Sequence, residues 1–351
     1  MQAVATIHPL PVTDAACFVD LELPDPLPRE RDLIVAVEAI SVNPVDCKQR
    51  MAKPRVVGAP RVLGYDAAGV VRSVGSAVTL FKPGDRVFYA GDVSRPGTNS
   101  RLHAVDERIV GHMPASLDFA SAAALPLTAI TAWEALFDRL KVSAPPHAPP
   151  HAQPRKSLLV IGGAGGVGSI AIQLAAKVAG LTVIATASRP ESADWCRALG
   201  ADAIADHAGD LVAAVRAGGH RQVDYVLLLN DAERNFAPAA ELLAPQGGIC
   251  SVLRVNGLLD VAPLMGKSCN LSWEFMFTRP SRATADMIEQ HYLLNEVARL
   301  VDLGVIRSTV ARVLAPINAA NLRAAHALVE GGRSIGKLVL QGWRQAEDRL
   351  V

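Results

Sequence analysis

The chain has 351 residues, which is about two domains' worth; half are hydrophobic and a fifth charged, so a large core is available and global disorder is excluded. Thirty-five Lys and Arg against 34 Asp and Glu leave a net charge of +1 with no like-charged block, which argues against a nucleic-acid partner. Five scattered cysteines, with no C-x-x-C pair, suit a reducing, cytoplasmic compartment better than a disulfide framework.

Up to about Ala120 short apolar runs (Leu33–Ala39, Ala67–Val74, Arg86–Ala90) alternate with turn signals such as Lys82-Pro83-Gly84-Asp85, which predicts short strands in a β-rich unit. Thr128–Leu140 reads as a helix. The Pro/His/Ala stretch Ser143–Gln153 reads as a solvated loop, since its four prolines deny His147 and His151 the helical spacing of a metal pair. From Lys156 strands and helices alternate. Strands are expected at Ser157–Ile161, Thr182–Ala187, Asp202–Ala205, Val223–Leu229 and Gly248–Leu253. Helices are expected at Ser169–Ala179, Pro190–Leu199, Asp210–Ala217 and Phe236–Leu243. This alternation predicts an α/β fold with a doubly wound parallel sheet. Ala285–Leu303 is a longer amphipathic helix, and Val310–Leu340 returns to strand–helix–strand. No membrane segment is expected. The start lacks a basic region followed by an apolar one, and the uncharged run Leu158–Ala176 carries five glycines and two periodicities, as a strand, a turn and a helix would.

The sharpest local signal is Gly162-Gly163-Ala164-Gly165-Gly166-Val167-Gly168, with G-x-G-x-x-G at Gly163, Gly165 and Gly168 between an apolar strand and a helix. Such a turn brings backbone N–H groups and the positive end of a helix dipole against a pyrophosphate. The next strand ends in Ala187-Ser188-Arg189, where an NAD-binding site would carry a carboxylate. A hydroxyl and a guanidinium suit a 2′-phosphate, so NADP(H) is the expected cofactor.

The chain resembles the medium-chain dehydrogenase/reductase superfamily, in its quinone oxidoreductase and enone reductase branch and specifically the zinc-type alcohol dehydrogenase-like proteins. The resemblance rests on Asn43-Pro44-Val45-Asp46 with Lys48, Gly64-Tyr65-Asp66-Ala67-Ala68-Gly69-Val70-Val71, Lys82-Pro83-Gly84-Asp85-Arg86-Val87 and Thr128-Ala129-Ile130-Thr131-Ala132. The glycine turn, Pro245-Gln246-Gly247-Gly248, Ser272 to Arg279 and Gly336-Lys337-Leu338-Val339-Leu340 complete it. It implies a GroES-like β-barrel catalytic domain (1–127 and 305–351), a Rossmann NADP(H)-binding domain (128–304), a homodimer and a small-molecule carbonyl or quinone substrate.

The resemblance also raises the question of zinc. Asn43, Tyr65 and a position near Leu127 stand where zinc-dependent relatives carry Cys, His and Cys, a poor donor set for a metal. A metal-free reductase of conjugated carbonyls is therefore expected, because hydride delivery to an enone or quinone needs only hydrogen-bond donors and placement. The resemblance implies Asn43, Lys48 and Tyr65 as the catalytic groups. Lys48 would contact the substrate carbonyl, and Tyr65 would steer or protonate. Asp46 is expected to brace its loop by accepting backbone bonds. Asn43, Thr128, Ser188, Arg189 and His207 are expected to contact the cofactor, with Leu229 at the end of its strand and Lys337 in the terminal motif. Two alternatives stay open: a zinc-dependent alcohol dehydrogenase, and a largely non-catalytic NADPH-binding sensor or structural protein.

Overall fold

In the computed structural model, residues 1–54, 56–143 and 155–343 are described; residues 144–153 of the Pro/His/Ala stretch lie outside them. In chain order the strands are β1 (Gln2–Thr6), β2 (Val19–Glu22), β3 (Asp32–Val42), β4 (Arg61–Val62), β5 (Ala67–Val74), β6 (Arg86–Tyr89), β7 (Leu102–Asp106), β8 (Val110–His112), β9 (Ser157–Ile161), β10 (Thr182–Thr186), β11 (Ala203–Ala205), β12 (Val223–Leu228), β13 (Leu243–Ser251), β14 (Asn270–Trp273), β15 (Val310–Leu314) and β16 (Lys337–Gln341). The chain divides into two units: Met1–Leu127 together with the chain from Phe277 onward, and Thr128–Met276.

The first unit is the β-rich one. Its larger sheet runs β15-β16-β3-β5-β6-β8 with β7 also on β3, and a smaller sheet runs β2-β1-β4. Eleven-residue β3 is buried almost throughout rather than on alternate residues, as a central strand covered on both faces must be. Val35, Val37, Ile40, Val71, Val87 and Leu340 are among the side chains of its core. The register around the end of β3 builds the site. Ala67 of β5 pairs with Ile40, and Leu338 of β16 pairs with Val42. Asp66 and Lys337, one residue outside each pair, are therefore carried to Ser41 and Asn43, although their positions lie far apart in the chain.

The second unit is a six-stranded parallel sheet in the order β11-β10-β9-β12-β13-β14. β9 lies between β10 and β12, so the strand order reverses direction there, the place where sheets of this kind bind ligands at their carboxyl ends. The strands read as continuous buried runs, for example Leu158-Leu159-Val160-Ile161, because helices cover both faces.

Several expected elements shift. Ala285–Leu303 is observed as Glu289–Asp302 and belongs to the first unit, which the chain re-enters at Phe277 rather than at 305. His291 Nδ1 lies 2.7 Å from the Val110 carbonyl, and Asn295 Oδ1 accepts from the His112 N–H at 2.9 Å, tying this helix to β8. An apolar stripe shows that a face is buried, not which sheet buries it. The helix expected at Phe236–Leu243 begins at Ala232, where Asp231 accepts from Arg234 N–H, a cap that the internal Pro238 obscures. The helices beginning at Pro126 and Gly166 each finish in a π-helical turn, Glu134–Arg139 and Leu174–Val178. The run Phe119–Arg139 is long and apolar enough to cross a bilayer, but 83% of its apolar window is buried in the protein. It is a core helix of this fold.

Candidate active site

In the parallel unit, the carboxyl ends of four neighbouring strands carry the residues expected to hold a dinucleotide. The turn after β9 is tied to β10 by Gly162 N–H donating to Thr186 Oγ1 at 3.0 Å and to β12 by Leu229 N–H donating to the Ile161 carbonyl at 3.1 Å. Gly162 sits at φ +95°, a conformation that only glycine adopts readily. A Cβ on Gly168 would lie 2.6 Å from the Gly163 carbonyl oxygen, so the helix Gly166–Gln173 packs against the turn only because this side chain is missing. Around Gly165 the opposite holds: a Cβ there would meet nothing nearer than Gly162 O at 3.5 Å. Backbone N–H groups at the start of an eight-residue helix thus face an uncrowded space, as a pyrophosphate requires.

Beside this turn β10 runs into exposed Ser188 and half-buried Arg189, and Ala187 N–H donates to the Ala205 carbonyl of β11 at 3.1 Å. Arg189 is the N-cap of the helix Pro190–Leu199. His207 follows β11; Arg234 donates to its backbone carbonyl at 3.2 Å, and its Nδ1 is buried without a hydrogen-bond partner. Burial, the largest influence, lowers the His207 pKa and favours a neutral ring. Gly163 to Gly168, Ser188, Arg189, His207 and Leu229 therefore share one edge of one sheet. Thr128, at the first position of the same unit, is buried.

The β-rich unit holds a buried polar network. Asp66, fully buried, accepts from Ser41 Oγ at 2.7 Å, Asn43 Nδ2 at 2.7 Å, the Leu127 N–H at 2.7 Å and Lys337 Nζ at 3.1 Å. Lys337 also donates to the Val42 carbonyl at 3.2 Å and to Asn43 Oδ1. Burial pushes the Asp66 carboxyl up, opposed first by the Lys337 charge and then by its hydrogen-bond donors. Asp46 Oδ2 accepts from the Asn43 N–H at 2.6 Å, bracing the loop as expected, while its Oδ1 is buried without a partner. Burial pushes this carboxyl up to about 7 against the pull of the Asn43 N–H and Lys337.

Asn43, 1% exposed, is thus held at both ends of its amide, with one Nδ2 hydrogen left over. The Lys337 ammonium is spent on three oxygens of its own unit. Tyr65 is buried with its ring edge-on to Phe277 at 5.2 Å, and desolvation raises its pKa, so the phenol stays protonated. Lys48 is exposed on the helix Pro44–Met51, about 160° around the axis from Asp46, and the fold does not bring it to the buried network. Asp66 was missed by sequence reasoning. The available signal was a carboxylate at the mouth of the wholly apolar run Ala67-Ala68-Gly69-Val70-Val71, which must find a cation.

A zinc ion does not fit the family's ligand positions. Leu127 has no donor side chain, and the Asn43 amide is already engaged, its oxygen by the Lys337 ammonium and its nitrogen by Asp66. Among the described residues Cys47, His326 and Glu330 do bring three potential ligand atoms within 4.8 Å of one another. Arg50 already neutralises that group, donating to Glu330 Oε1 at 2.6 Å and lying 3.1 Å from His326 Nδ1. Burial holds the Cys47 thiol protonated, with its pKa pushed up to about 12.

Residues 29–117 match the alcohol dehydrogenase GroES-like domain family and residues 199–340 the zinc-binding dehydrogenase family. The chain is 42% identical, over 97% of its length and 99% of the relative's, to a zinc-type alcohol dehydrogenase-like protein of Staphylococcus aureus. The crystal structure of a putative zinc-dependent alcohol dehydrogenase protein from Rhizobium etli is 51% identical and superposes with a TM-score of 0.92, covering 98% of this chain and 99% of that one. An NADPH-dependent alkenal/one oxidoreductase of Arabidopsis thaliana is 40% identical over 51% of this chain and 46% of its own. With its GroES-like unit, its parallel dinucleotide-type sheet and these full-length matches, the chain belongs to the zinc-type alcohol dehydrogenase-like proteins, oxidoreductases of the medium-chain dehydrogenase/reductase superfamily.

Proposed function

We propose that the protein is an NADPH-dependent oxidoreductase that reduces quinones or α,β-unsaturated carbonyls without a metal ion. The observation that carries this reading is the replacement of a zinc donor set by Asn43, Tyr65 and Leu127, with the Asn43 amide fastened to Asp66 and Lys337, in a chain whose glycine turn is intact. The Arabidopsis relative, active by name on alkenals and enones, supports the substrate class.

Bound NADPH supplies a hydride for the β-carbon of the acceptor. In this reading the Gly163–Gly168 turn holds the pyrophosphate by backbone N–H groups, Ser188 and Arg189 hold the 2′-phosphate, and His207 and Leu229 flank the adenosine. Thr128 and Asn43 orient the nicotinamide half. Tyr65, kept protonated by burial, donates to the oxygen on which negative charge grows. The spare Nδ2 hydrogen of Asn43 is the further donor; Lys48, exposed and turned away from the network, is not counted as one. Lys337 acts through Asn43, as a positioning residue. We take the protein to be a cytoplasmic homodimer. Edge strand β14 pairs with β13 alone among the described residues, and its exposed Trp273, with Phe275 beyond it, would face a second copy.

The test is NADPH consumption with a naphthoquinone, a short enone and a simple aldehyde. Turnover of the first two with an inert aldehyde is expected. Aldehyde turnover that depends on added zinc would establish the alcohol dehydrogenase alternative, and inertness toward all three despite tight NADPH binding the non-catalytic one. Arg189→Ala should weaken NADPH about tenfold, the loss of one charge-assisted phosphate contact, and leave NADH unchanged. A wild-type protein that binds NADH more tightly than NADPH would end the cofactor assignment.

A further inference from the structure

The glycine turn is held from behind by a side-chain relay. Ser169, fully buried, donates its hydroxyl to the Gly165 carbonyl oxygen at 2.7 Å, and its backbone N–H donates to the same oxygen at 2.9 Å. The indole N–H of Trp195, reaching from the helix Pro190–Leu199, donates to the Ser169 hydroxyl oxygen at 2.8 Å. A serine hydroxyl has one proton; with its oxygen accepting from Trp195, that proton goes to the turn's carbonyls, to Gly165 at 2.7 Å in preference to Ala164 at 3.4 Å.

The relay bears on the anion site through the geometry of one peptide bond. A trans peptide sets its C=O and N–H on opposite sides. Pinning the Gly165 carbonyl inward turns the Gly166 N–H outward, to the side where a pyrophosphate would lie. Two glycines flank this peptide, so side-chain sterics restrain its rotation little; what holds the Gly165 carbonyl is the Ser169 N–H, as the first bond of the helix, reinforced by the Ser169 hydroxyl.

We propose that Trp195 and Ser169 are positioning residues for dinucleotide binding, keeping the Gly165–Gly166 peptide in the orientation that offers an N–H to the pyrophosphate. The inference rests on the dinucleotide reading of the turn and adds to it the residues that preorganise it. The apparent dissociation constant rises as the competent fraction of the turn falls. Because NADH and NADPH share the pyrophosphate, both coenzymes depend on the relay equally, unlike a contact made by Arg189.

The test is calorimetric titration of NADPH and NADH into the wild-type protein, Trp195→Phe, Ser169→Ala and the double variant, with melting temperatures recorded for each. Trp195→Phe keeps an aromatic ring, though a smaller one, and deletes the donor. It should raise both dissociation constants about fivefold, the scale of one neutral hydrogen bond. Ser169→Ala should raise them at least as far, and the double variant no further than Ser169→Ala, because the relay is already cut. The KM for NADPH should rise with kcat retained. Unchanged dissociation constants in both single variants, with lowered melting temperatures, would reduce the two bonds to stabilisers of the fold and overturn the proposal. Independent, additive losses would overturn the relay. If the wild-type protein binds neither coenzyme, the dinucleotide reading itself fails; a wild type that binds normally while the variants match it sinks the positioning role alone.

Discussion

The parallel unit prepares for an anion with main chain. Seven consecutive residues, five of them glycine, aim N–H groups at the start of a helix and commit no charged side chain to the turn. The β-rich unit instead gathers side chains: Ser41, Asn43, Asp66 and Lys337, from strand ends remote in sequence, bury one carboxylate against one ammonium. A backbone site is tolerant of what surrounds it but intolerant of any added Cβ. A side-chain site fails when one partner is lost, because the other is then a buried charge with nothing opposite it.

The largest expected effect tests the second half of that contrast. Lys337→Met leaves Asp66 uncompensated and should lower the stability of the β-rich unit by roughly 3–5 kcal/mol, read by urea unfolding. Adding Asp66→Asn should recover part of the loss; a double variant as unstable as the sum of the singles would show that the pair does not work as a unit. Next in size is Gly168→Ala, whose new methyl meets the Gly163 carbonyl oxygen at 2.6 Å. A strain of about 1–3 kcal/mol should weaken NADPH some five- to 150-fold in calorimetry. An unaltered affinity would mean that the turn does not carry the cofactor.

The effect that is smallest over any single pH unit sharpens the comparison through pH. Burial moves the Asp46 carboxyl from 3.8 up to about 7. Between those values the folded chain keeps a proton that the unfolded chain has released, so stability is greatest at the acid end and falls as pH rises through the window. Asp46→Asn removes that slope, at most about 1.4 kcal/mol per pH unit, while its Oδ1 can still accept from the Asn43 N–H. Parallel stability–pH curves for the two proteins would show that Asp46 titrates normally.

The same contrast explains what could be read in advance. The glycine turn, the alternation of strands and helices after Lys156 and the helix Pro190–Leu199 ending at Gly200 are local patterns, and they stand where periodicity and turn chemistry predict. The Asp66–Lys337 pair was hidden, because sheet register unites residues that no local window contains. Sequence could nominate Asn43 but could not show that both ends of its amide are held. Lys48 looked equivalent to Asn43 in a linear motif, and one helical rotation separates them into solvent and core. Cys47 has no metal-capable neighbour in the linear sequence beyond Asp46, yet helix Ala319–Glu330 brings His326 and Glu330 to it, with Arg50 already between the charges.

The last β-strand, β16, adds a consequence for synthesis on the ribosome. It pairs with β3 and carries Lys337, so the first unit lacks both a strand and the cation for Asp66 until residues 337–341 have emerged. The second unit, whose strands all lie between Ser157 and Trp273, has every residue it needs well before then. Residues 1–127, translated before any of the second unit, are thus the ones that must wait for a partner strand made after it.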